Sequence, residues 1–148
     1  MVAAFSLCFA LATAPSPAID GGLWGTVLIV TQTSAGHASY GAGFVVDKSG
    51  LVVTNLHVLD DAQAVWALAY DPDKPPPAAV DGGLDRLMFE RQADLIPVTV
   101  IRGDPVVDIA VVRLEKPARV TVLKLAAAAP SVGDDVLVVG HPLQSFGA

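Results

Sequence analysis

Short apolar runs rich in valine and isoleucine recur along the sequence, and turn-forming residues interrupt them. β-Branched side chains favour strands, because they pack well on a pleated surface and have restricted rotamers in a helix. Turn signals roughly every 8–12 residues, with little helical periodicity, are typical of β-sandwiches and β-barrels. The sequence therefore predicts an all-β fold of about six to eight short antiparallel strands.

The apolar runs that we expect to form strands cover residues 24–31, 40–46, 51–53, 64–70, 84–92, 95–102, 109–114, 119–125 and 135–139. The run at 84–92 is also compatible with a single helical turn. Between the runs, the residue types predict turns at 19–22, 48–50 and 103–105, a loop at 32–39 and a linker at 126–130. Residues 71–85 contain three consecutive prolines and two glycines, which predicts an irregular surface insertion.

The N-terminal residues resemble a secretory leader. Val2 to Ala14 is apolar but too short to cross a bilayer, which takes about 20 residues. Ala12, Thr13 and Ala14 form an A-x-A cleavage motif, although no basic residue precedes Lys48. We expect residues 1–18 to be a signal-like leader and linker, and residues 19–148 to be one domain with no membrane span.

The charge and the cysteine content exclude several classes of function. The net charge is −6 and the nine basic residues form no cluster, so we expect no nucleic-acid partner. Cys8, in the leader, is the only cysteine, so the domain is expected to fold without a disulfide. The three histidines and the scattered acidic residues lack metal-ligand spacing, which predicts neither a metal nor another cofactor.

One polar segment interrupts the apolar runs at a place suited to chemistry. Thr54, Asn55 and His57 directly follow the run Leu51 to Val53, so a strand end would deliver a histidine to a turn or short helix. Loops and strand ends on a rigid scaffold often carry catalytic groups. A lone histidine in such a place is more often a locally satisfied residue of a helix start, so a catalytic role for His57 needs support from its surroundings.

Those surroundings resemble the trypsin-like serine proteases, and specifically their HtrA/Deg branch. The branch carries G-[ST]-G-F, T-N-x-H-V and D-x-x-x-D-[IL]-A in that order. This sequence has Gly41-Ala42-Gly43-Phe44, then Thr54-Asn55-Leu56-His57-Val58, then Asp104 to Ala110 with the two aspartates four residues apart. The resemblance extends over residues 24–142, and it implies the N-terminal antiparallel barrel of the double-barrel protease fold.

The resemblance also implies the roles of two residues. His57 corresponds to the general base of a serine endopeptidase, and Asp108 to the carboxylate that orients it. Asp104 is the rival carboxylate, but it precedes Pro105 in an expected turn, where aspartate is common. Asp108 directly precedes an apolar strand, where an unpaired charge is costly. A structural role for Asp108, capping the strand through backbone amides, is the alternative.

The nucleophile of the family is not found in these 148 residues. It lies in G-[ND]-S-G-G in the second barrel, and no serine here has those neighbours. Ser145 is too close to the strand after Asp108 to be its counterpart, and His141 is interpreted as a loop residue. We therefore expect the chain to stop before the nucleophile region, with the second barrel absent or incomplete, and to be inactive alone.

The family implies polypeptide substrates, a periplasmic or secreted location, and docking of a second barrel or a homo-oligomer. Two alternatives stay open. The chain could be a non-catalytic single-barrel binding module or an inactive gene fragment. An exposed apolar face where the second barrel would dock would support the binding module. An unrelated β-protein with chance motifs predicts that the side chains of His57 and Asp108 lie beyond hydrogen-bond reach, about 3.2 Å.

Overall fold

The computed structural model describes residues 17–70, 83–116 and 118–140. Nearly all of the expected leader, residues 71–82 of the expected insertion, His141 and Ser145 lie outside this part of the chain. The described residues are mostly β, as expected, and include two α-helices and two short 3-10 helices.

Six antiparallel strands close into a barrel, which confirms the predicted fold class. They are β1 (Thr26–Thr33), β2 (Ala38–Val45), β3 (Leu51–Asn55), β4 (Ala62–Ala69), β5 (Ile96–Asp104) and β6 (Ile109–Leu114). Around the barrel the order is β1-β2-β3-β6-β5-β4, and the pairing of β1 with β4 closes it. Because β3 pairs directly with β6, the ends of two strands distant in sequence meet at one rim.

The turn between β2 and β3 lies where the sequence predicts it. Gly50 has a φ of +85°, a conformation that glycine adopts without the clash a β-carbon would cause. Its N–H donates to the carbonyl of Asp47 at 3.1 Å, which closes the turn. The predicted strand at 24–31 begins two residues later than expected and extends to Thr33, so the expected loop after it is shorter.

Strand β1 is buried on both faces. Val27 and Ile29 point into the barrel, where they pack with Val45, Val52, Ala67, Val112 and Leu114. The alternate residues Leu28 and Val30 pack on the outer face with Leu68, Tyr40, Trp66, Met88 and Leu95. Met88 lies in helix α2 (Gly83–Arg91), and Leu95 follows it shortly after. This segment covers the outer face of β1. A strand buried on both sides explains the continuous apolar run in its sequence.

The prediction of a strand at residues 84–92 is wrong. This stretch forms α2, and a 3-10 helix from Gln92 to Asp94 follows it. Leucine, methionine, glutamate and arginine dominate the stretch, and all are good helix formers. The Nε of Arg86 donates to Glu90, four residues on, at 2.8 Å, which is the spacing that joins side chains on one face of a helix.

The strands expected at 119–125 and 135–139 are also wrong, because neither range has regular secondary structure. The first runs beside the barrel, where the N–H of Thr121 donates to Trp24 and the N–H of Leu123 to Val45. Two isolated bonds do not make a ladder, and a closed barrel offers no free edge for another strand. In the second range Val136 and Val138 are exposed. A high β-propensity alone does not form a strand, because strands are stabilised by packing against neighbouring strands.

Two expected turns are displaced. Residues 19–22 lie in α1 (Pro17–Trp24), with a proline at the first helical position, where its missing N–H does no harm. The turn expected at 103–105 covers residues 105–108 instead, because Gly103 and Asp104 complete strand β5. The shift brings Asp108 into the turn immediately before β6, at the rim of the barrel.

Candidate active site at the barrel rim

The end of β3 delivers His57 to the rim of the barrel. Thr54 is buried, and its hydroxyl donates to the carbonyl of Ala42 at 2.7 Å, which fixes β3 against β2. The chain then turns into a 3-10 helix from Leu56 to Leu59 that carries His57. His57 therefore lies in a short helix directly after the end of a strand, as the sequence predicts.

Two glycines let this short helix lie close to the barrel. A β-carbon on Gly41 would come 2.4 Å from a methyl carbon of Val58, and one on Gly103 would come 2.6 Å from a methyl carbon of Leu56. Both distances are far below a normal contact, so a larger residue at either position would force its neighbour to shift. At Gly41 the glycine of the first motif thus allows Val58 to lie close to the backbone of strand β2.

Asp108 reaches the same rim from the other side of the sheet. Asn55 and Ile109 are opposite each other in the β3–β6 ladder, so Asp108 lies beside the start of the 3-10 helix. Its φ is +53°, in the left-handed region, which aspartate tolerates better than most residues. The N–H of Leu56 donates to its carbonyl at 3.2 Å, which holds this turn to the end of β3.

The carboxylate of Asp108 contacts both the backbone and the ring of His57. Its Oδ1 accepts from the His57 N–H at 2.8 Å, and its Oδ2 lies 2.6 Å from the ring Nδ1. The side chains are therefore within hydrogen-bond reach, contrary to what an unrelated β-protein with chance motifs predicts. The backbone amide that this carboxylate accepts from belongs to the 3-10 helix and not to strand β6, so the bond differs from the strand capping that was the alternative role of Asp108.

These bonds favour the charged form of Asp108 and one tautomer of a neutral His57 ring. The pKa of Asp108 is lowered, mainly by the hydrogen bond from the His57 side chain and next by the one from the His57 N–H. A charged carboxylate only accepts hydrogen bonds, so the proton of a neutral His57 ring must lie on Nδ1. The other ring nitrogen, Nε2, is then left with a free lone pair and can act as a base.

The pair is open to solvent. The side chain of His57 is 60% exposed and that of Asp108 is 44% exposed. In a water-exposed site, hydrogen bonds and charges contribute much less than in a closed one. The arrangement can therefore orient an imidazole and accept a proton, and a covering surface would strengthen both effects.

The rival carboxylate of Asp104 and a second histidine, His37, lie elsewhere. Asp104 is exposed, and its Oδ1 accepts from the N–H of Val106 at 2.9 Å, in keeping with the expected local turn role. His37 is exposed in the loop between β1 and β2. Of the two candidate aspartates, it is therefore Asp108 whose carboxylate contacts the His57 ring.

Asn55 belongs to the site, although sequence reasoning gave it no role. Its side-chain Nδ2 lies 3.1 Å from the carbonyl of Asp108 and 3.2 Å from the carboxylate Oδ2. The sequence feature that could have indicated Asn55 is its position in the second motif, two residues before His57. The motif alone does not reveal which residue the amide contacts.

The described part of the chain has two further properties that bear on function. Histidine, cysteine and acidic side chains within residues 17–70, 83–116 and 118–140 nowhere form a group of three that could hold a metal ion. Of the helices that the structure describes, none has both the length and the apolar character needed to cross a membrane.

The closed antiparallel barrel and the site at its rim match the N-terminal barrel of the trypsin-like proteases. The chain belongs to the trypsin-like peptidase domain family, whose sequence model matches residues 41–147. It is 31% identical over 104 residues to the periplasmic serine endoprotease DegP of Salmonella typhimurium. That alignment covers 69% of this chain and 18% of DegP, so the chain spans less than a fifth of this relative.

Solved structures agree on the fold. The serine endoprotease from Yersinia pestis superposes with a TM-score of 0.57 at 17% identity, covering 82% of this chain and 38% of the other. The HtrA-type protease AlgW, solved with a tripeptide, superposes with a TM-score of 0.51 at 16% identity, covering 72% and 29%. At 16–17% identity, these similarities show that the chain shares its barrel fold with these proteases.

Proposed function

We propose that this chain supplies the base and the orienting carboxylate of a serine endopeptidase, with His57 as general base and Asp108 as its partner. The observation that carries the proposal is the double contact of Asp108 with the His57 N–H and with its ring Nδ1. The ring is thereby held with Nε2 available to take a proton from a hydroxyl nucleophile and return it to the leaving amine.

The proposal assigns the nucleophile to a segment outside these 148 residues, because no serine in the sequence has Gly-x-Ser-Gly-Gly surroundings. The amides that would stabilise the oxyanion lie beside that nucleophile in the family, and such donors are usually a large part of catalysis. A chain with only the base and the carboxylate lacks both contributions. The 148-residue polypeptide alone is therefore expected not to cleave peptides.

Exposed apolar side chains beside the pair suggest where a second barrel would dock. Val106, which is 90% exposed, and Val107 lie in the turn before Asp108, and Ile109 follows it. Exposed apolar groups that cluster together usually mark an interface. Docking a second barrel, or another copy of the chain, on this side would also remove water from the His57–Asp108 pair.

The substrates of the proposed enzyme are polypeptides, and its location is the periplasm or the cell exterior. DegP, a relative named as a periplasmic endoprotease, supports both parts of this proposal. The apolar leader from Val2 to Ala14 is the feature of this sequence that fits export.

The test begins with the source gene. Translating several hundred nucleotides past the codon for Ala148 in all three frames should give a Gly-x-Ser-Gly-Gly segment, and the polypeptide that includes it should cleave casein. His57→Ala and Asp108→Asn should each lower kcat, the latter on the order of 10⁴-fold as in Ser-His-Asp triads generally. Asp104→Asn, in the same hairpin, is the matched control and should retain activity.

Two results would overturn the proposal. One is peptide cleavage by the pure 148-residue chain that His57→Ala abolishes, because the nucleophile would then lie within the chain. The other is a genuine stop with no nucleophile segment after it. In that case the exposed apolar residues around Val106 would favour a single-barrel binding module instead.

A further inference from the structure

Asn55 contacts Asp108 at two different acceptors. Its Nδ2 lies 3.1 Å from the backbone carbonyl of Asp108 and 3.2 Å from Oδ2 of its carboxylate. A side-chain amide has two N–H donors on one nitrogen, so a single NH₂ group can serve both acceptors. Asn55 therefore links the backbone of Asp108 to the same oxygen that meets the His57 ring.

This link acts on a strained residue. Asp108 has a φ of +53°, and left-handed backbone persists at residues other than glycine only where the surroundings hold it. The N–H of Leu56 holds the Asp108 carbonyl from one side, at 3.2 Å, and the Asn55 amide holds it as well. The conformation of this peptide decides where the carboxylate points, so a bond to the carbonyl also orients Oδ2.

We propose that Asn55 is a positioning residue, which holds the left-handed turn at Asp108 and aims its carboxylate at Nδ1 of His57. The role rests on the proposed function, because aiming the carboxylate matters to catalysis only if His57 and Asp108 form the base pair. Asn55 is itself exposed, so its side chain fills no core space. Removing the amide should therefore change the geometry of the pair more than the stability of the barrel.

The arrangement requires an amide of this length. Leucine has nearly the same shape as asparagine but donates no hydrogen bond. Alanine removes the donors and the reach together. The variants Asn55→Leu and Asn55→Ala thus separate the donors from the volume, and Gln63→Ala, which removes an exposed amide from strand β4, is the matched control.

The first measurement uses the unmodified chain. Asn55 is the only asparagine in the sequence, so labelling with ¹⁵N-asparagine gives one side-chain NH₂ signal in an NMR spectrum. If Asn55 bonds Asp108, both of its protons exchange with water more slowly than those of a free asparagine side chain. Asp108→Ala removes the carboxylate but keeps the backbone carbonyl, so it should abolish the protection of the proton that bonds Oδ2. Exchange at the free rate in the unmodified chain overturns the proposal without any variant having to fold.

The second measurement reports the geometry of the pair. The ¹⁵N shifts of the two His57 ring nitrogens give the ratio of the Nδ1–H to the Nε2–H tautomer, above the pH at which the ring is protonated. Both Asn55 variants should lower this ratio by a factor of about three to ten, the usual effect of one net hydrogen bond on an equilibrium. Gln63→Ala should leave it unchanged, and the exposed His37 serves as an internal reference in each sample.

An unchanged tautomer ratio in both Asn55 variants would overturn the positioning role. Neither measurement depends on turnover, so a failure of the proposed peptidase function would not be mistaken for a failure of this role. In the active, extended polypeptide, Asn55→Leu should lower kcat by about 100-fold with little change in KM, because small displacements of a catalytic group act on the chemical step.

Discussion

The side chain of Val58 lies directly against the α-carbon of Gly41. A β-carbon at Gly41 would be 2.4 Å from one methyl carbon of Val58 and 2.7 Å from the other. Val58 is the residue after His57, so this contact determines how close the 3-10 helix lies to strand β2. The position of the histidine thus depends on Gly41 through Val58, the residue that follows His57.

Gly41→Ala is expected to destabilise the fold by about 1–3 kcal/mol, the usual cost of forcing extra volume into a packed site. Valine has a stiff branched side chain that cannot swing aside, so the helix itself must move. The measurement is urea unfolding followed by tryptophan fluorescence, with the His57 ring shifts recorded on the same protein.

Gly21→Ala is the control for Gly41→Ala. A β-carbon on Gly21 would have no heavy atom within 4 Å, and the residue lies in helix α1. Alanine there should be neutral or stabilise by up to about 1 kcal/mol, because it favours the helix over the unfolded chain. Equal effects of the two substitutions would contradict the close packing of Val58 on Gly41.

The sequence predicted the barrel because the local signals and the tertiary fold agree there. Each of the six strands coincides with a β-branched or apolar run, and the turn at Gly50 has the residue its φ requires. Helix α2 was missed because its apolar residues, read alone, fit a buried strand as well as a helix that packs on one. The helix and the strand can be distinguished only from the tertiary structure, in which the apolar outer face of β1 is covered by this segment.

The candidate site could be predicted only in part. Motif order identifies His57 and Asp108, but their 2.6 Å contact depends on the direct pairing of β3 with β6 and on the left-handed backbone of Asp108. Neither feature has a local signal, since aspartate is a common turn residue with many backbone conformations. The role of Asn55 is a long-range contact across the same ladder, and for that reason it was missed.

The double burial of β1 gives a prediction about helix α2. Leu28 is fully buried on the outer face of the barrel, beneath the segment that includes Met88 and Leu95. Leu28→Ala should therefore cost about 2–5 kcal/mol, as for a leucine in a packed core. Thermal and urea unfolding would measure this loss.

Leu125→Ala is the matched control, because it makes the same chemical change at a side chain that is 72% exposed. Substitutions at such surface positions usually change stability by less than about 0.5 kcal/mol. A similarly small effect at Leu28 would mean that α2 does not cover the outer face of the barrel in solution.

The hydrogen bonds to Asp108 predict how stability depends on pH. They lower the pKa of Asp108 below the value of about 3.9 that it has in the unfolded chain. Between the lowered folded pKa and the unfolded pKa, the unfolded state binds more protons, so stability rises with pH across this window. The contribution of Asp108 is thus fully present above the unfolded pKa and is lost as pH falls through the folded one.

At acidic pH, a plot of stability against pH should therefore slope upward, and we call this part of the plot the acidic limb. Asp108→Asn should flatten it. Stability is measured as the urea midpoint in steps from neutral pH down to strongly acidic pH. Part of the limb should remain, because the hydroxyl and the N–H of Ser49 also lower the pKa of Asp47. Asp47→Asn should therefore flatten the limb too, while leaving the His57 tautomer ratio unchanged. If the curve of Asp108→Asn runs parallel to that of the unmodified chain, Asp108 does not accept these bonds in solution.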